Sequence, residues 1–154
     1  MDLSDLIIPE AILGSLKANS KKQVIQALAE KAAEMTGLDE REIFETLIQR
    51  EKLGSTGVGG GIAIPHGKLG NLDNIFGLFA RLPKPIDFEA LDELPVDLVF
   101  LLLAPEGAGA DHLKALAGIA RLFREANVVN KLRASSDKSA LYAVLTEGAT
   151  PDAA

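Results

Sequence analysis

The sequence predicts an α/β protein in three α/β/α layers, a small mixed central sheet flanked by helices. Three observations carry that expectation. Val96 to Ala104 (VDLVFLLLA), bounded by Pro95 and Pro105, is the most apolar stretch, too short for a helix of that composition and suited to a central strand buried on both faces. Segments with apolar residues at helical spacing stand before and after it. Between them lie short runs of strand-forming residues cut by glycine and proline. At 154 residues the chain has the length of one domain with a substantial core. That domain is placed at 1–148, with a frayed tail over 149–154.

Taken in order, Ile12 to Leu16 is weakly marked as a short strand. Ser20 reads as the N-cap of a helix whose buried face is Val24, Ile25, Leu28, Ala29, Ala32, Ala33 and Met35, stopped by Gly37. Asp39 caps a second helix, with Glu42 three residues on in a capping-box spacing and a stripe of Ile43, Phe44, Leu47 and Ile48. This helix ends near Lys52 to Gly54 and delivers the chain into Ser55, Thr56 and a run with glycine at 57, 59, 60 and 61, read as a loop because glycine gives access to positive φ. Ile62 to Ile64 is a short strand cut off by Pro65, which places His66 just past a strand end, followed by Gly67. Asn71 to Asn74 is a turn and Ile75 to Leu82 a strand closed by Pro83 and Pro85. Pro85 to Leu94 is compatible with a strand edge followed by a helical turn. After the central strand come a small-residue loop (Pro105 to Ala110), a helix over Asp111 to Glu125 with Asp111 as its cap, and helical segments over Asn127 to Leu132 and Ser136 to Leu145.

Composition removes several functions. The absence of cysteine excludes disulfides and thiolate chemistry, and two histidines leave little for a metal. A net charge of -6 argues against a general nucleic-acid binder, which needs a basic face. No run is long and apolar enough to span a bilayer, and the start MDLSDLIIPE carries acids where an export signal is basic, so a cytoplasmic location without membrane insertion is expected. The glycine run lacks a Gly-Lys-Ser/Thr ending, so it is no nucleotide P-loop.

His66 is the residue around which the chain is organised. A glycine-rich loop, a short strand and then Pro-His-Gly is a costly composition for a mere connection, because each glycine loses more entropy on ordering. Histidine can present an unprotonated nucleophilic nitrogen near neutral pH, with the other nitrogen needing a partner that fixes the tautomer. Arg50 suits the oxygens of an anion because its guanidinium offers forked, permanently charged donors, although a cation in a last helical turn is also ordinary. Ser55 and Thr56 have hydroxyls for the same oxygens, a role that competes with local turn bonds. His112 stands at a helix start, where an anion is favoured. Lys68, Glu106 and Asp111 read as solvated charges, and Arg81 and Asp97 as strand-edge residues.

The stretch Gly61 to Gly67 (GIAIPHG) resembles the phosphorylation site of the phosphotransferase-system enzyme IIA domains of the mannitol, fructose and nitrogen-regulatory group. Arg50 to Ser55 (REKLGS) resembles the segment before that family's glycine loop, and GADHLKALA its second-histidine region. SKKQVIQALA and PIDFEALDELPVDLVFLLLAPE extend the likeness to the nitrogen-regulatory branch over nearly the whole chain. The resemblance implies that His66 accepts a phosphoryl group on Nε2, that Arg50 lies near it, and that His112 stands beside it in support. It also implies a phosphoryl donor of the small histidine phosphocarrier type (HPr/NPr-like), itself charged from phosphoenolpyruvate, and no metal or nucleotide cofactor. Two roles remain open: a regulatory protein whose phosphorylation state selects partners such as potassium transporters or sensor kinases, or a sugar-specific relay to a IIB domain. An interaction module that has kept the fold without being phosphorylated is a third.

Overall fold

The computed structural model describes residues 3–147, so the tail expected over 149–154 lies outside the described residues. Two short 3-10 turns (Leu3–Asp5, Pro9–Ala11) lead into β1 (Ile12–Leu13), shorter than the expected strand to Leu16. Helix α1 (Lys21–Thr36) starts where Ser20 accepts a hydrogen bond from the Gln23 N–H and ends at Gly37, whose φ of 78° is the left-handed cap expected of glycine. Helix α2 (Glu40–Lys52) starts at Asp39, whose carboxylate accepts from the Glu42 N–H at 2.9 Å.

The glycine run is not wholly a loop. Gly57–Gly59 form strand β2, joined to β3 (Ile62–Ala63) by a two-residue turn in which Gly60 (φ 68°) and Gly61 (φ 84°) supply the positive φ values a tight hairpin demands. Pro65 breaks the chain direction only briefly. His66 opens strand β4 (His66–Leu69), so it begins a strand where the sequence placed it past the end of one.

The next strand, β5 (Phe76–Ile86), runs through the prolines expected to close it at Leu82. Its register against β6 (Val96–Pro105) shifts between Arg81↔Leu98 and Ile86↔Val96, and the extra residues Pro83, Lys84 and Pro85 are exposed there. Proline without an N–H is tolerated where the ladder is already interrupted. Residues 87 to 95 form turns and irregular chain; the helical turn is absent from this described segment.

Strand β6 is the middle of the sheet, as its apolarity predicts. The order is β1-β5-β6-β3-β2, with β4 continuing the β3 edge of β6: β3 pairs in parallel with Leu98 and Val99, β4 with Leu102 to Pro105. The β5–β6 and β2–β3 pairs are antiparallel, which makes the sheet mixed. Three further helices follow: α3 (Ala110–Leu122), α4 (Ala126–Arg133) and α5 (Lys138–Glu147). Asp111 is not the cap of α3; Gly109 holds that position at φ 52°, and Asp111 lies within the first turn.

One face of the sheet receives α2, where Gly67 of β4 meets Thr46 and Leu47, with α1 packed on α2 and on β5. The other receives α3 and α5: Phe123, just past α3, contacts the rings of Phe79 and Phe100, and Leu141 of α5 lies beside Gly14. Helix α4 packs beside α5. These layers bury a single apolar cluster, and no helix among the described residues is long and apolar enough to cross a membrane.

Candidate active site

Three of the residues singled out in the sequence converge. His66 enters from the first position of β4, opposite Leu102 of β6, Arg50 from the last turn of α2, and His112 from the first turn of α3. Gly67 makes the convergence possible. A Cβ there would stand 2.8 Å from Thr46 Cγ2, closer than real Cβ contacts, so only glycine lets α2 lie this near β4. Close packing is therefore its role, rather than an unusual backbone angle or an open flank for the imidazole.

Two hydrogen bonds specify the tautomer of His66. Its Nδ1 lies 2.9 Å from the Ile64 carbonyl oxygen, and a carbonyl only accepts, so Nδ1 carries the proton. On the other side Arg50 Nε–H donates to Nε2 across 3.3 Å, which requires a lone pair on Nε2. Burial holds the His66 pKa below its ordinary value; the bond to Ile64 opposes this, the Arg50 charge adds to it, and Glu51 opposes it. The half-buried imidazole is thus biased toward its neutral form, with its unprotonated Nε2 facing a guanidinium.

His112 is buried and its ring centroid lies 5.8 Å from that of His66, tilted by 53°. Its pKa is also lowered, first by burial, then by His66 and Lys68. Among the described residues His112 Nε2 is buried without a hydrogen-bond partner, a rare state for a buried polar atom.

Ser55 and Thr56 stand differently. Ser55 Oγ donates to the Phe88 carbonyl at 2.9 Å and accepts from the Gly57 N–H at 3.0 Å; the Thr56 hydroxyl is buried and donates to Glu51. Both hydroxyl hydrogens are committed to protein acceptors, so in this conformation the two side chains hold the loop and offer no free hydroxyl donor to an anion.

Sequence reasoning missed Glu51. Its buried carboxylate accepts from the Thr56 N–H at 3.1 Å and from the Thr56 hydroxyl, and pairs with Lys21 at 2.8 Å. This ties the chain leaving α2 back onto the helix that carries Arg50. The available signal was an acid in a last helical turn, where the macrodipole disfavours it. The glycine hairpin is pinned as well: Asp92 accepts from the Gly60 N–H at 2.9 Å, and Arg133 donates to the Gly60 carbonyl at 2.8 Å while gripping Asp97 with two nitrogens at 2.9 to 3.1 Å. Asp97 thus pairs with Arg133 of α4, while Arg81 donates to the carbonyls of Gly14 and Arg133. Among the described residues no group of three or more His, Asp or Glu side chains is placed to hold a metal ion.

The chain is similar to known proteins over nearly its whole length. Residues 5–148 match the family described as Phosphoenolpyruvate-dependent sugar phosphotransferase system, EIIA 2. The chain is 68% identical over 145 residues to a nitrogen regulatory protein of Bradyrhizobium diazoefficiens, covering 94% of this chain and 95% of that one. It is 41% identical over 146 residues to a nitrogen regulatory protein of Pseudomonas aeruginosa, covering 94% and 95%. Among solved structures, the nitrogen regulatory protein IIA-Ntr from Neisseria meningitidis superposes with a TM-score of 0.89 at 34% identity, over 94% of this chain and 99% of that one.

Proposed function

The chain belongs to the EIIA 2 family of the phosphoenolpyruvate-dependent sugar phosphotransferase system, and on that premise we propose that His66 Nε2 is a phosphoryl acceptor whose modification controls partner binding. The observation that carries the reading is the tautomer: a carbonyl takes the Nδ1 proton and leaves the Nε2 lone pair beside a guanidinium.

The donor is a small histidine phosphocarrier protein of the HPr/NPr type. Its P–N bond breaks as a bond to His66 Nε2 forms in line, and the donor nitrogen leaves with its electron pair. His66 keeps its Nδ1 proton and becomes a phosphoryl-imidazolium, whose positive charge the Ile64 carbonyl oxygen meets. No proton has to move in the transfer. Arg50 turns from Nε2 to the phosphoryl oxygens, and His112 Nε2, as an N–H donor in the opposite tautomer or the cation, gives them a further hydrogen bond. Ser55 and Thr56 join that set only by exchanging their present acceptors.

A regulatory role is supported by the names of the relatives above, which are nitrogen regulatory proteins. Exposed Leu53, Val58 and Leu113 belong to the segments that carry Arg50, the glycine hairpin and His112. A dianion added among them changes the charge of an apolar docking face, which is how a phosphoryl group selects partners, potassium transporters and sensor kinases among them.

The test is acid-labile labelling with phosphoenolpyruvate and the upstream carriers, read by intact mass at neutral pH. Wild type gains one phosphoryl group, His66→Ala none, and His112→Ala gains it more slowly. Equal loss in both variants contradicts the division of roles. Rapid onward transfer to a IIB domain identifies a sugar relay, and target binding that changes with phosphorylation identifies the regulator.

A further inference from the structure

Beside Glu51, a cleft of about 590 Å³ opens between α1 and α2, within the size range of small-molecule sites. Its floor is apolar: Phe44 and Ile48, each partly buried against the core. Its rim is basic, with Lys21 and Lys22 from the first turn of α1 and Lys52 from the last turn of α2. Glu51 and Glu89 also line the cleft, so its three lysines outnumber the carboxylates by one.

The lysines differ in their engagement. Lys21 is held by Glu51 at 2.8 Å and, at the mouth of the cleft, by Glu89 at 3.3 Å. Lys22 and Lys52 make no ion pair or side-chain hydrogen bond among the described residues. Glu89 is exposed and sits at φ 58°, its N–H donating to Asp87 Oδ1 at 2.8 Å. Its carboxylate engages one of the three lysines, Lys21. The contact is a surface one, hence weak and open to replacement by another carboxylate.

We propose that this cleft binds a small organic anion with an apolar body. The carboxylate engages Lys22 and Lys52 and competes with Glu89 for Lys21, while the body lies on Phe44 and Ile48. Occupancy reaches the loop before the glycine hairpin, because Glu51 bonds Lys21 on one side and the Thr56 N–H and hydroxyl on the other.

The experiment is amide NMR of the isotope-labelled, unphosphorylated full chain, titrated at constant ionic strength with phenylacetate and hexanoate. Acetate serves as the control without an apolar body and benzylamine as the control without the anion. Its outcome is independent of whether His66 is phosphorylated. The expected result is saturable shifts at Lys22, Ile48 and Lys52, and at Thr56 with the same midpoint, of about 1 mM or lower. The Lys22→Gln/Lys52→Gln variant, changed only at exposed positions, weakens binding about tenfold, as loss of two charge-assisted contacts requires. Absence of saturation with both carboxylates up to about 20 mM overturns the proposal. So does equal binding of benzylamine, or unchanged affinity in the double variant.

Discussion

Arg50 donates its Nε–H to the unprotonated Nε2 of His66 across 3.3 Å, so the cation and the ring nitrogen's lone pair face each other. The same guanidinium is anchored by Nη1 on the Gly54 carbonyl at 2.9 Å. Replacing it tests both of its effects. Arg50→Gln removes a charge that lowers the His66 pKa, so the His66 titration midpoint rises, and phosphorylation slows by about a hundredfold through loss of electrostatic stabilisation. Imidazole NMR titration and timed labelling read the two effects separately. An unmoved midpoint contradicts the contact.

Stability near neutral pH follows from both imidazoles. Burial first, then neighbouring charge, holds the pKa values of His66 and His112 below 6.5. Between those lowered values and 6.5 the unfolded chain binds protons that the folded chain does not, so stability rises with pH there. Their contribution is therefore full above 6.5 and is lost as pH falls through that window. Thermal melts from about pH 8 to pH 5 are expected to show a steeper fall for wild type than for His66→Gln/His112→Gln. Parallel curves contradict the assignment.

Glu51→Ala leaves Lys21 and the Thr56 N–H and hydroxyl without their shared acceptor inside the protein. Removing one partner of a buried pair costs about 3 kcal/mol, and urea unfolding reads it directly. A loss within about 0.5 kcal/mol, the range of ordinary surface changes, contradicts a structural role for the carboxylate.

Gly67→Ala drives a Cβ to 2.8 Å from Thr46 Cγ2 and pushes α2 from β4. We expect destabilisation of about 1–3 kcal/mol together with slower phosphorylation, because Arg50 moves with α2. Thr46→Ser deletes the opposing methyl, so the double variant recovers most of both losses. Failure of that rescue places the defect elsewhere.

What was legible in the sequence was local. Ser20, Gly37 and Asp39 mark helix ends because capping depends on residues within one turn, and the run from Val96 marks the central strand because burial on both faces leaves no polar alternation. His66 stands out by its glycine-rich, Pro-His-Gly setting, resemblance adds weight to Arg50 and His112, and the geometry brings the three together. The rest depends on pairings far apart in the chain. Glu51 is buried because Lys21 reaches it from α1; Asp97 finds Arg133 on α4, not its strand neighbour Arg81; and β5 crosses Pro83 and Pro85 because its partner strand shifts register. The strand within the glycine run was hidden for a related reason. Glycine has little strand propensity of its own, and β2 forms only because β3 pairs with it.

The central claim is that Nε2 of His66 is the nucleophile, and two-bond proton–nitrogen correlation NMR of the imidazoles, before and after phosphorylation, tests it most directly. The account predicts an Nδ1–H tautomer for His66 in the free protein and phosphorus coupling to its Nε2 in the modified one. An Nε2–H tautomer in the free protein, or phosphorus on His66 Nδ1 or on His112, would contradict it.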